Sequence, residues 1–448
     1  MENKYTAEND TWTCPDVPRD CTVLRPVDGY EIALVGCWLS ARCVLGGDHD
    51  ADAVLDALAA GLPAAQQRHF PLRLALRTNA AGAPFFVWAH PESLAPDAVL
   101  SRGVWPDTAP PDVAALPGVD ARAPHEALYR VRVCACPDAP RTVALRLEMN
   151  HVLCDGRTVF DVLGLFCALA EGRADPVPPA PRLPAFGHAD WFAPELVARA
   201  AGPMPASWTR IPRGRLVAAS FPEPAVYRNT VWRCAYAPVR AWCRAHGATV
   251  QAVLMALKTR AFRAYSGLAP ATPLAVYAPT DTRALPGATA LNRASPFFCH
   301  AGCSVPLVVG KGGALVRDIE HCAHAWAAAL APDAPSRTDA CVQVLRSARC
   351  VDPHTLRFTP DADSPSPFAM HCVAASSIGD AARTLPGARD VLLGVSYPCT
   401  PAFYSLNVYA WHTDDELAVL MMHPSTYDPR FVDAFAAEFH DFVKLVGA

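Results

Sequence analysis

Between Leu128 and Ala170 the spacing of apolar residues switches from the period of a strand to that of a helix, and this switch constrains the fold more than any other feature of the chain. Leu128 to Cys136 reads as a strand, with Leu128, Arg130, Arg132 and Cys134 on one face and Tyr129, Val131, Val133 and Ala135 on the other. A Pro137-Asp138-Ala139-Pro140 turn follows. Val143, Leu145, Leu147 and Met149 then alternate with Ala144, Arg146, Glu148 and Asn150, as in a half-buried strand. Beyond Gly156, Val159, Val162, Leu163, Phe166, Cys167 and Ala170 recur at helical spacing. Six residues join hairpin to helix: His151-Val152-Leu153-Cys154-Asp155-Gly156. Functional groups are commonly carried on such loops, held by rigid elements on both sides.

The residue types in the loop suit proton transfer. A histidine has an unperturbed pKa of about 6.5, so much of it is neutral near pH 7 and able to accept a proton. An aspartate four residues on can hold the turn, and a glycine after it lets the chain bend sharply into the helix. The chain has 15 histidines, so the pattern alone is weak evidence, and the strand–loop–helix context gives it weight.

The loop resembles the H-x-x-x-D-G signature of the chloramphenicol acetyltransferase-like superfamily, which includes BAHD acyltransferases, alcohol O-acyltransferases, polyketide-associated acyltransferases and condensation domains of peptide synthetases. Condensation-type members usually carry a second histidine just before the first; Asn150 stands there instead. Other segments resemble the same family. Arg25-Pro26-Val27 and Tyr30-Glu31 precede a strand-like run from Ile32 to Leu45. A helix with Ala53, Leu55, Leu58 and Leu62 leads into His69-Phe70-Pro71-Leu72-Arg73-Leu74. Thr249 caps a helix carrying Val250, Val253, Leu254, Leu257 and Ala261. The strand Leu274 to Ala278 ends in Pro279-Thr280-Asp281-Thr282-Arg283, similar to the family's P-x-D-x-R step. Cys372 to Ala375 runs into Ser376-Ser377-Ile378-Gly379-Asp380, similar to an S-N-x-G segment, while the D-F-G-W-G of the plant branch is missing.

The resemblance implies an α/β (α+β) chain with mixed sheets, folded as two lobes with the active-site tunnel between them. The expected division is an N-terminal lobe over 1–175, a proline-rich linker over 176–212 and a C-terminal lobe over 213–448. Within the linker, Glu195 to Ala201 is expected to form a turn or two of helix. A last helix starts at Asp428 and Pro429, with a stripe of Val432, Phe435, Ala436, Phe439, Phe442 and Val443, and packs on a hairpin of Phe403 to Trp411 and Leu417 to Met422.

Composition narrows the partners. The formal net charge of −4 and the lack of a Lys/Arg run with interleaved aromatics argue against nucleic acid. No apolar run is long enough to span a bilayer, and Met1 to Asp20 does not read as a signal peptide, so a cytoplasmic, monomeric enzyme is expected. Seventeen cysteines without a disulfide-like spacing read as reduced thiols packed as small hydrophobes. A metal site at His151, Cys154 and Asp155, or at Cys299, His300 and Cys303, is the sharper alternative, but no C-x-x-C or H-E-x-x-H pair stands behind it, and no metal is expected. Cys154 is expected to point into the core. Gly310-Lys311-Gly312-Gly313 lacks Walker spacing and reads as a turn before a helix over Ala314 to Ala323.

By resemblance, His151, Asp155 and Gly156 form the catalytic motif, and Arg283 is the salt-bridge partner of Asp155. Breaking a largely buried pair of this kind typically costs about 3–5 kcal/mol. Ser376, Ser377 and Gly379 are candidates for binding substrate or an oxyanion; without the resemblance they read as the polar end of a strand. The expected chemistry is transfer of an acyl group from acyl-CoA, as co-substrate and without cofactor, to a small-molecule hydroxyl or amine. Two other readings remain open: an acyl donor bound to a carrier protein, and a non-catalytic binding protein that kept the fold.

Overall fold

The computed structural model describes residues 23–27, 31, 34, 38–78, 84–103, 105, 127–179, 192–200, 227–266, 274–281, 283, 287–290, 293, 301–307, 313–332, 334, 373–396, 406–424 and 429–447. The first half comprises β1 (Val23–Pro26), β2 (Trp38–Val44), α1 (Ala51–Arg68), β3 (Leu74–Thr78), β4 (Pro84–Trp88), β5 (Leu100–Gly103), β6 (Tyr129–Cys136), β7 (Ala139–Asn150) and α2 (Gly156–Ala170). A short helix, α3 (Pro194–Ala200), lies in the proline-rich connector, where a turn or two is expected. The second half comprises β8 (Tyr227–Ala235), α4 (Tyr236–Ala245), α5 (Val250–Ser266), β9 (Leu274–Thr280), β10 (Ala301–Leu307), α6 (Leu315–Ala329), β11 (Val373–Asp380), β12 (Arg389–Ser396), β13 (Leu406–His412), β14 (Glu416–Pro424) and α7 (Pro429–Gly447).

Two large mixed sheets organise the chain. One runs β12-β2-β7-β6-β5 and the other β10-β9-β11-β13-β14-β8, while β1, β4 and β3 form a small third sheet. The predicted hairpin is β6–β7, although β7 begins at Ala139, so the turn is shorter than the Pro137–Pro140 segment suggested. Within the run expected from Ile32 to Leu45, 32–33 and 35–37 lie outside the described residues, and Trp38–Val44 is a strand. Glu31 ahead of it is held in a buried ion pair with Arg25 (Nη2 to Oε1, 2.6 Å) instead of a sheet ladder.

The sequence order hides one exchange. β12, from the second half, pairs with β2 from Arg389↔Val44 to Ser396↔Trp38 and completes the first sheet. Its entry is a bulge at Asp390, whose φ of 48° lies in the left-handed region that Asp tolerates better than most residues. Asp390 accepts hydrogen bonds from Arg42 on β2 (2.5 Å) and Arg233 on β8 (3.1 Å), so one carboxylate joins both large sheets.

The hairpin β13–β14 divides two apolar cores. Leu417, Val419 and Met421 enter one core with α5 and α7, while Ala418, Leu420 and Met422 enter the other with α2 and the first sheet. A strand buried on both faces must be apolar throughout, which accounts for Leu417 to Met422 being an unbroken apolar run. Trp411 crosses into the first core beside Phe160 (ring centroids 6.1 Å) and donates its indole N–H to the Val391 carbonyl at 3.1 Å. Of the expected stripe of α7, Phe435, Phe439 and Phe442 are buried, joined by Phe431, while Val432, Ala436 and Val443 are half-buried.

Candidate active site

The loop after β7 is built by its own polar groups. Asn150 Oδ1 accepts from the Val152 N–H at 3.0 Å, and the Leu153 N–H donates to the Asn150 carbonyl at 3.0 Å, closing the turn. His151 is 8 % exposed and its Nδ1 lies 2.7 Å from the Cys154 carbonyl oxygen. A carbonyl only accepts, so Nδ1 carries the proton of the neutral ring and Nε2 is the basic nitrogen. Burial pushes the His151 pKa below its ordinary value, against the opposing pull of the Cys154 carbonyl and Asp155. Cys154 is buried, with Sγ 3.4 Å from the Asn150 carbonyl, and burial holds its thiol well above the usual range.

Asp155 is the N-cap of α2. Its Oδ1 accepts from the Arg157 N–H (3.0 Å), the Thr158 N–H (2.7 Å) and the Thr158 hydroxyl (2.9 Å), satisfying donors that a helix start leaves unpaired. Its Oδ2 accepts from Arg283 Nη1 at 3.3 Å. The structure therefore brings together the aspartate and the arginine expected to pair. Arg283 also donates to Asp281 Oδ1 at 3.0 Å, from both its guanidinium and its backbone N–H. Gly156 lets the start of α2 approach β11 closely: a Cβ there would lie 2.9 Å from Cδ1 of Ile378.

The serine segment lies within β11 itself, opposite β13, with a bulge between Ser377 and Gly379, the latter at φ 94°. Consecutive strand residues face opposite ways, and of Ser376 and Ser377 only Ser377 lines the adjoining cavity. That cavity, about 520 Å³, is walled by Pro279, Thr280 and Asp281 at the end of β9, by Thr249, Val250 and Gln251 at the start of α5, and by Trp326 on α6. α4 adds Tyr236, Arg240 and Arg244, and β13 adds His412, whose ring stacks on Tyr236 at 3.9 Å. Burial lowers the His412 pKa, with Asp380 opposing the shift.

Sequence reasoning missed Gln251, Arg240, Arg244, Tyr236 and His412. The available signal was weak: Gln251 is a single polar residue among the apolar residues of the first two turns of α5. The candidate metal ligands Cys299 and His300, the Gly310–Gly312 turn and the aromatics Tyr397, Phe403 and Tyr404 lie outside the described residues. Among the described residues no three His, Cys, Asp or Glu side chains converge on one point, and no helix is long and apolar enough to cross a membrane.

No protein-family model matches the chain, and neither does any curated protein sequence. Solved structures do. Polyketide synthase associated protein 5 from Mycobacterium tuberculosis superposes with a TM-score of 0.58 at 16 % identity, covering 93 % of this chain and 97 % of that one. The TRI3 trichothecene 15-O-acetyltransferase from Fusarium sporotrichioides gives 0.62 at 12 %, covering 97 % and 96 %. The starter condensation domain of rhizomide synthetase, solved in complex with C8-CoA and Leu-SNAC, gives 0.55 at 13 %, covering 94 % and 93 %. Together with the two mixed sheets and the paired cores, these likenesses show that the chain shares the fold of these acetyltransferase and condensation-domain structures.

Proposed function

We propose that this chain is an acyltransferase that moves an acyl group from an acyl-CoA thioester to a hydroxyl or amine of a small-molecule acceptor. The observation that carries the reading is the His151 Nδ1 contact with the Cys154 carbonyl, which leaves Nε2 as a neutral base at pH 7. Nε2 takes the acceptor's proton as the acceptor attacks the thioester carbonyl, then returns it to the departing thiolate. A positioned base of this kind contributes about 10²–10⁴-fold. No covalent acyl-enzyme is required. Cys154, buried with a raised pKa, is unsuited to be a nucleophile.

Asp155, paired with Arg283, acts as a positioning residue for the loop, and Gly156 gives the second lobe room to approach it. Donors to the tetrahedral oxyanion narrow by elimination. The Arg157 and Thr158 N–H groups are engaged by Asp155, and the Ser377 N–H by Gln251 Oε1 at 2.7 Å. The Ser377 hydroxyl and the Gly156 N–H are the candidates we favour, with Ser376 and Gly379 shaping the wall behind them. The lobes divide at the proline-rich connector.

Arg240 and Arg244, one helical turn apart on α4, put two guanidinium groups on the cavity. Two cations suit a phosphate-bearing thioester donor, and we favour free acyl-CoA, which carries more phosphate groups than the single phosphodiester of a carrier-bound donor. The test is thiol release from acetyl-CoA and longer acyl-CoAs with pooled alcohols and amines, beside His151→Ala, with the chain's seventeen cysteines subtracted by a no-donor blank. Acceptor-dependent release that disappears in the variant is expected; release that survives it overturns the mechanism.

A further inference from the structure

The parallel pairing of β9 with β11 stops after Val276↔Val373 and Tyr277↔Ala374. Continuing that register would set Ala278 opposite Ala375 and Pro279 opposite Ser376. A strand residue opposite Ser376 would donate its N–H to the carbonyl of 375 and accept from the N–H of 377. Proline has no N–H to donate, so the ladder ends there. β9 itself continues on its other edge, paired with β10 through Thr280↔Ala301.

The side chain of Gln251, in the first turn of α5, makes the two missing bonds. Its Nε2 donates to the Ala375 carbonyl at 2.8 Å, and its Oε1 accepts from the Ser377 N–H at 2.7 Å. Gln251 is 6 % exposed. Thr249 fixes the helix start that carries it, its Oγ1 accepting from the Ala252 N–H at 3.2 Å. One carboxamide thus occupies the place of a strand residue, while the real strand veers away. The gap between them is the cavity: Pro279, Thr280 and Asp281 form one wall, Ser377 another, and Gln251 lines it between them. Past Ser377, Ile378 packs on Gly156 at the start of α2.

We infer that Gln251 is a positioning residue for acyl transfer: by replacing the backbone pairing that Pro279 cannot make, it holds β11 away from β9 and fixes Ser377 and Ile378 against the His151 loop. This rests on the acyltransferase reading above. Gln251 does not touch the reacting atoms in this role; it acts through the β11 backbone.

The experiment compares wild type, Gln251→Met and Gln251→Glu in steady-state thiol release, with hydrogen exchange followed on the peptide spanning 375–379. Methionine keeps the volume and removes both bonds. It is expected to lower kcat by about 10–100-fold, the scale of a displacement near 1 Å at a reacting centre, with KM for the donor changed by no more than about threefold. Exchange in the peptide should accelerate while the rest of α5 stays protected. Glutamate keeps an acceptor for the Ser377 N–H and should recover part of the loss. Wild-type kcat in Gln251→Met, or equal global loss of protection in both variants, overturns the inference. An inert wild-type chain overturns the acyl-transfer reading instead, and the exchange measurement then decides by itself whether Gln251 holds β11.

Discussion

Arg283 Nη1 lies 3.3 Å from Asp155 Oδ2, which ties the chain just past β9 to the first turn of α2 across the two halves of the sequence. The same carboxylate caps the helix through Oδ1, so one side chain serves two separable purposes. Asp155→Ala removes both and is expected to destabilise the fold by about 4–6 kcal/mol. Arg283→Ala leaves the cap intact and should cost about half as much. Asp155→Asn keeps the cap acceptor and should fall close to Arg283→Ala. Urea denaturation of the three variants checks the order, and equal losses for Asp155→Ala and Arg283→Ala would contradict it.

The buried position of His151 sets a pH dependence. Its folded pKa lies below the ordinary histidine value, so the neutral base persists as pH drops through that value. Turnover is expected to hold level from pH 8 to about 6.5 and to decline only below it. Stability follows the same sign: the unfolded chain binds the proton more readily, so His151 favours unfolding as pH falls below about 6.5. A pH–rate profile of kcat/KM inflecting above pH 7 would argue against His151 as the base.

Asp161, on α2 one turn beyond Arg157, behaves in the opposite sense. Burial raises its pKa from 3.8 to about 6, with Arg157 opposing the shift. Holding it ionised at pH 7 costs stability, and that cost disappears as pH falls through 6 towards 4. Asp161→Asn should therefore stabilise the chain by about 1–3 kcal/mol at pH 7 and by little at pH 4. Denaturant midpoints at the two pH values measure it.

The approach of Ile378 to Gly156 predicts a compensating pair. Gly156→Ala places a methyl group 2.9 Å from Ile378 Cδ1, the movable end of that side chain, so folding should change by no more than about 1 kcal/mol while thiol release slows. Ile378→Val removes the crowding methyl and should restore the rate in the double variant. Rates that multiply independently in the double variant would show that the contact does not couple the loop to β11.

The cation pair on the cavity gives a donor-specific expectation. Arg240→Ala and Arg244→Ala should each raise KM for acyl-CoA about 5–20-fold with kcat little altered, and the wild-type KM should rise with salt. A short acyl-pantetheine thioester, lacking the phosphates, should show no such sensitivity. Equal effects on both donors would remove the support for a free nucleotide donor.

Much of the site was legible because its parts are local. The hairpin, the His151 loop and α2 are contiguous, and their apolar periods follow directly from the geometry of strand and helix. The cap on Thr249 and the start of α7 at Pro429 follow in the same way from caps and periodicity. The helix expected over Ala314 to Ala323 runs on to Ala329, because Cys322, Ala325, Trp326 and Ala329 carry the apolar spacing past the expected end. Asn150 shows the limit of reading a motif by substitution: in the place of a second histidine it builds the turn through Val152.

Periodicity and near neighbours along the chain were enough to fix most strands and helices and the loop that carries the basic nitrogen. They could not foretell that β12 crosses into the first sheet, that β14 is buried on both faces, or that Gln251 stands in for a strand residue opposite Ser376. Each of these joins groups distant in sequence through hydrogen bonds and packing that leave no periodic trace. A proline at 279 announces that a ladder must end; the folded arrangement supplies the side chain that takes its place.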